Sequence, residues 1–203
     1  VNVSKQVAPP RRTGSPDATT RKLLLDAAEE LLIEGGYSAI TGRAVAKKAG
    51  LKSQLVPYHF GTMDDLFLAV FRRRAEQGLE RHRAALKSDQ PLWALWRMST
   101  DPRIVVFTME FVALANHRRA LKQEIAYYVE RMRDEQVKAL SSILEGYGIP
   151  PEAVPPEVVM TMMFSVSGVL AIEESLGVEL GHSSTLRFSE RWIRQYEGDP
   201  PVR

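Results

Sequence analysis

Apolar residues in this chain recur at helical spacing. Leu24, Ala28, Leu31 and Leu32 fall on one face of an amphipathic helix. Ser15-Pro16 reads as its start, a capping residue followed by proline in the first helical position, and Gly35-Gly36 as its stop, because glycine accepts the left-handed cap. A short second helix starts from Thr41, turns Val45 and Ala49 inward and ends at Gly50. The pattern predicts a third beginning near Ser53. A fourth leaves Gly61-Thr62 with Asp64 and Asp65 in its positive first turn, carries Leu66, Val70 and Phe71 inward, and continues through Arg72-Arg73-Arg74. Five more are expected, over about 91–99, 102–116, 119–146, 156–176 and 184–196. No segment alternates with period two for long enough to make a strand, so the fold class is all-α. Residues 1–15 break the periodicity with Pro9, Pro10 and Gly14 and hold Lys5, Arg11 and Arg12, which predicts a flexible basic tail.

The stretch from Gly42 to Phe60 carries the most specific pattern. Two helices crossing at a wide angle need a small residue where they touch, a glycine at the turn and apolar residues facing a supporting helix. Ala46 is the small contact, Gly50 the turn, and Val45, Ala49, Leu51 and Val56 the apolar set. The N-terminal part, residues 16–62, is therefore expected to be a three-helix helix-turn-helix head, and residues 63–203 a C-terminal helical bundle.

Charge sharpens this division. The formal net charge is only +2, yet residues 1–61 hold nine Lys/Arg against five acids, which suits one end meeting a polyanion. The absence of cysteine excludes disulfides and thiolate metal sites. It also fits a reducing cytoplasm, and the polar, turn-rich opening predicts no export signal. The apolar run Val158 to Ile172 falls short of the ~20 residues of a membrane span, so a buried helix and no membrane partner are expected. No phosphate-cradling glycine loop, serine nucleophile elbow or His-Glu-x-x-His motif is present, and His59, His82, His117 and His182 lack paired ligand spacing. The reading is therefore no enzyme, no metal and no cofactor.

Thr20-Arg21 opening a helix, Gly36-Tyr37 closing it, Thr41 to Gly50, Tyr58-His59-Phe60-Gly61-Thr62 and Asp64-Asp65-Leu66 together resemble the TetR-type (TetR/AcrR-like) repressors. The similarity is strong over residues 18–75 and weaker through Leu92 to Met98 and Asp101 to His117. The resemblance implies a homodimer, a palindromic double-stranded DNA operator, and release from DNA when a small-molecule ligand enters the helical body. Half-sites would then lie about 34–36 Å apart or at a related spacing.

On this reading the helix from Ser53 enters the major groove, where base edges distinguish all four base pairs. Lys52, Ser53 and Gln54, with Leu55 beside them, form its leading end. Gln54 suits bidentate pairing with adenine, and Lys52 suits guanine or a phosphate. Thr41, Arg43, Tyr58 and His59 are expected to hold phosphates and set register. Two positions depart from the family pattern: Pro57 replaces an aromatic residue and Met63 a phosphate-gripping lysine. With Ser53 as cap, Pro57 would cost only the first helical hydrogen bond and leave the helix shifted or tightened.

For the body, Trp93, Trp96, Phe107, Phe111, Tyr127, Tyr128, Met132, Met160 and Phe164 are the candidate lining of an apolar ligand pocket. Glu110 reads more readily as the partner of a nearby arginine than as a ligand contact. Met163, Ser167, Leu170, Phe188, Trp192 and Tyr196 are the candidate dimer face, since the last two helices carry more apolar surface than they can hide alone. A helical DNA-binding protein controlled by a protein partner rather than a small molecule stays open at this point.

Overall fold

The computed structural model describes residues 16–201, so the basic tail expected over residues 1–15 lies outside the described residues. Among the described residues there are nine α-helices and no strand. They are α1 (Pro16–Gly35), α2 (Gly42–Lys48), α3 (Leu55–Phe60), α4 (Met63–Leu86), α5 (Pro91–Ser99), α6 (Pro102–Ala115), α7 (Arg119–Gly146), α8 (Pro156–Ser175) and α9 (His182–Glu197). The first three form the head and the rest the body, the all-α arrangement that the periodicity predicts.

Most boundaries follow from local chemistry. Thr41 caps α2 by accepting a hydrogen bond from the Ala44 N–H at 3.2 Å. Thr62 and Asp65 form a reciprocal capping box at the start of α4. Proline occupies the first turn of α5, α6 and α8, where its missing donor is not needed. One element has no sequence signature, a single 3-10 turn at Tyr37–Ala39. Helix α9 also starts two residues before its expected position.

The apolar side chains separate into two cores. The first joins Leu24, Ala28 and Leu32 of α1, Val45 and Ala46 of α2 and Val56 and Phe60 of α3 to Leu66, Val70 and Phe71 of α4. It extends into the body through Phe107, Phe111 and Leu114 of α6 and Leu121 of α7. The second core collects Trp93 and Trp96 of α5, Leu140 and Leu144 of α7, Met160 and Met163 of α8 and Ile193 of α9. Helix α4 is the strut between them: Leu66 lies in the first core and Ala85 in the second, roughly 28 Å further along the axis at the helical rise.

Candidate nucleic-acid interface

The elbow is built from hydrogen bonds that its sequence makes inevitable. Gly50 adopts φ +68°, a left-handed conformation that a side chain would resist, and this lets α2 close with paired bonds. Leu51 N–H donates to the Ala46 carbonyl at 2.9 Å and Gly50 N–H to the Lys47 carbonyl at 3.1 Å, satisfying two end-of-helix acceptors. The chain then passes through Lys52-Ser53-Gln54, all exposed, before α3 begins.

Here the structure corrects the expected start of the third helix. Gln54, not Ser53, is its N-cap, and the first helical residue is Leu55. Pro57 explains the shift. In third helical position its missing N–H is one of the unpaired first-turn donors, so it costs no helical bond. The Ser53 carbonyl instead accepts from Val56 N–H at 3.3 Å in a tighter turn. Ser53, Val56 and Pro57, with Thr41, Arg43, Thr62 and Met63, line an open depression of about 570 Å³ where the starts of α2 and α4 converge.

The surface around this turn is cationic by subtraction. Lys48 is taken by Glu34 at 2.6 Å and Glu30 at 3.4 Å. Its ammonium is held above the ordinary lysine range mainly by the Glu34 hydrogen bond. Arg43, Lys47 and Lys52 have no acidic partner among the described residues and are exposed. Tyr58 projects outward with 72% of its surface accessible. His59 behaves differently: its side chain is only 4% accessible, lies edge-on to Tyr58 and has Nδ1 3.7 Å from Asp17 of α1. The expectation that His59 reaches phosphate is therefore corrected, because its ring is turned toward α1. Leu55 is half-buried against the first core, leaving Thr41, Arg43, Lys52, Ser53, Gln54 and Tyr58 as the outward members of the predicted set.

Glu110 supplies a link that the sequence pattern did not reveal. This α6 carboxylate accepts a hydrogen bond from the Tyr37 backbone N–H at 2.8 Å, beside the end of α1. Gly36 permits the approach: with φ +69°, it has no side chain, and a Cβ there would lie 2.8 Å from the Glu110 carboxylate. An arginine is thus not its partner; the body carboxylate instead caps a turn of the head. Arg118 to Asp64 at 2.7 Å and the bidentate Arg72 to Glu124 pair add further ties between α4 and α7.

The sequence profile of the bacterial regulatory proteins of the tetR family matches residues 24–70, from the middle of α1 to the first third of α4. Over these residues the chain is of TetR-family type. The HTH-type transcriptional regulator CymR of Pseudomonas putida is 30% identical over 135 residues, covering 63% of this chain and 66% of the relative. The HTH-type transcriptional regulator BetI of Rhizobium meliloti is 24% identical over 132 residues, covering 61% and 65%. The chain thus spans just under two thirds of the length of both curated relatives. The fold is also similar to that of Bacillus subtilis FadR, crystallised with stearoyl-CoA, with TM-score 0.62 and 15% identity, covering 88% of this chain and 99% of that one.

In the body, the predicted ligand residues do not converge. Phe107 and Phe111 are buried in the first core, with ring centroids 4.6 Å apart. Trp93, Trp96 and Met160 are buried in the second. Tyr127 and Phe164 face outward, Met132 is half-buried, and Tyr128 donates to Glu76 at 2.9 Å. Aromatic composition marked apolar packing here, and helix packing divided it between two cores. A half-open cleft of about 520 Å³ lies in the body between α8 and α9, lined by Trp96, Val159, Met162, Phe188 and Trp192 among others. Its walls are joined at one end, where His182 meets Glu173 at 2.8 Å, and at the far end of α9 Glu197 accepts from the Leu92, Trp93 and Tyr147 donors, tying that helix to α5 and the end of α7.

The predicted dimer residues also divide. Met163 and Ser167 point into the protein, Ser167 donating to the Met163 carbonyl at 2.9 Å, while Leu170, Trp192 and Tyr196 are half-buried and Phe188 is exposed. The outward apolar line runs one step round the helix: Val158, Met162, Val169, Ile172 and the C-cap Leu176, with small exposed Ser165 at its centre. Their alternating steps of four and three are the sequence signal that could have found it. Helix α8 is 20 residues long, five more than the run read from the sequence, and by length and composition it could cross a membrane.

Proposed function

We propose that this chain is a cytoplasmic transcriptional regulator, acting as a repressor, that binds a palindromic operator as a homodimer and leaves it when a mainly apolar small molecule occupies its body. The observation that carries this reading is the exposed turn Lys52-Ser53-Gln54 at the head of α3, bordered by the unpaired cations Arg43, Lys47 and Lys52. Gln54 has the amide pair that adenine's major-groove edge accepts, and the cations supply sequence-independent attraction to phosphate. Residues 16–62 are read as the DNA-binding head and residues 63–203 as the ligand-sensing and dimerisation body. Lys52, Lys22 or Arg11 and Arg12 of the N-terminal segment are read as the cations that partly offset Pro57 and Met63.

The dimer reading is supported by the outward line Val158, Met162, Val169, Ile172 and Leu176, together with Phe188 at 64% exposure. The opposite face of α8 is packed into the second core, and Glu157, Glu173 and Glu174 close its two ends, which favours a second copy over lipid on the outward face. A fatty-acyl thioester bound to the similarly folded FadR supports an apolar effector class. No cofactor and no catalytic role is part of this reading.

Selection of bound sequences from random duplex DNA tests it. A palindrome with half-sites one helical turn or a multiple apart is expected, with affinity falling steeply with salt. Recovery of no preferred duplex would overturn it. Val169→Glu is expected to give a monomer in sedimentation and to abolish high-affinity operator binding.

A further inference from the structure

Between the two apolar cores lies a level occupied by polar side chains. Helix α4 contributes Phe71 to the first core and Ala85 to the second; Leu79 and His82 lie between. Helix α7 contributes Leu121 to the first and Leu140 to the second, with Gln136 between. His82 is 1% exposed and Gln136 0%. Neither imidazole nitrogen of His82 and neither amide atom of Gln136 has a hydrogen-bond partner in the protein. The bidentate pair from Arg83 to Glu135, at 2.6 and 2.7 Å, ties the next residue on each helix and sets the two at the same height on facing elements.

We propose that His82 and Gln136 are the polar recognition pair for an effector with an apolar frame and one uncharged hydroxyl, carbonyl or amide group. This rests on the ligand-sensing body of the function proposed above and assigns the polar end of its site. Burying a donor or acceptor without a partner costs more than a typical hydrogen bond returns, so a pair of such residues favours any ligand that can satisfy both. Burial drives the His82 pKa down to about 4, partly opposed by Glu135, so the ring is neutral and offers one donor and one acceptor. Gln136 offers the same two capacities. Glu135 already has Arg83 and, at 3.8 Å, Arg131, so neither of these two cations is free to neutralise a ligand carboxylate. That is why the ligand group is assigned as uncharged.

The test uses the full chain without DNA and matched probes: β-naphthol against naphthalene, decanol against decane, and decanoate as the charged analogue. Calorimetric affinity and the imidazole nitrogen shifts of His82 are read together. The expected result is that each hydroxyl probe binds about tenfold more tightly than its hydrocarbon and moves the His82 signals. His82→Leu and Gln136→Leu should erase that preference and leave hydrocarbon binding unchanged or stronger. His82→Met and Gln136→Met serve the same purpose if a leucine variant does not fold. A preference that survives in the variants, or His82 signals unmoved by every hydroxyl probe, would overturn the assignment. Probes that bind through this pair yet leave operator affinity unchanged would uphold the assignment and overturn ligand-controlled release instead.

Discussion

Head and body meet the same physical requirements in opposite ways. The helices α2 and α3 of the head keep their polar ends satisfied locally: Thr41 caps α2, Gly50 closes it and Pro57 sits where no donor is needed. The body holds buried His82 and Gln136 without protein partners and leaves an apolar line on α8 in the open. The ends of α2 and α3 are thus completed by residues close to them in sequence. On the function proposed above, those capacities are directed at a ligand inside and a second copy outside.

The comparison is most strongly tested at the first core, which head and body share. Phe111→Ala should cost about 3–5 kcal/mol, because the ring fills space between α1, α4 and α6 and leaves a cavity. Head and body should still melt in one transition, followed by far-UV circular dichroism and Trp93/Trp96 fluorescence. Two separate transitions would show that the shared core does not couple them.

The second effect belongs to the body alone. The unfolded chain takes a proton on His82 below about pH 6.5, whereas the folded chain does so only near pH 4. Stability is therefore complete above pH 6.5 and falls between 6.5 and 4, by about 3 kcal/mol in the limit of full burial. His82→Leu should remove this slope from urea melts taken across that window. Losses from Asp26, Glu124 and Glu135, whose carboxyls are held below the ordinary range with arginine partners, begin lower and should persist in the variant.

At the head surface, Gln54→Ala is expected to relax sequence preference by about 1–3 kcal/mol at one base pair while leaving the fold intact. Lys52→Ala should instead weaken binding to all duplexes alike and reduce the salt slope by about 1. Equal behaviour of the two variants in a salt titration would erase the distinction between reading and gripping residues. The smallest effect is at the link between regions. Glu110→Gln should lose about 1 kcal/mol, lowering Tm by about 2–4 °C, as the charge-assisted bond to Tyr37 becomes a neutral one.

Periodicity, capping residues and glycines determined nearly all of the fold that could be read in advance. The helix class, the elbow at Gly50, the Thr41 cap and the starts of α4 to α8 depend on residues within a few positions of one another. The outward turn Lys52-Ser53-Gln54 was legible for the same reason. The inward turn of His59, the split of the aromatic residues between two cores, the Glu110 cap on Tyr37 and the face that α8 leaves open were settled only by tertiary structure. Each depends on which helix packs opposite, and that is a contact between residues far apart in the chain.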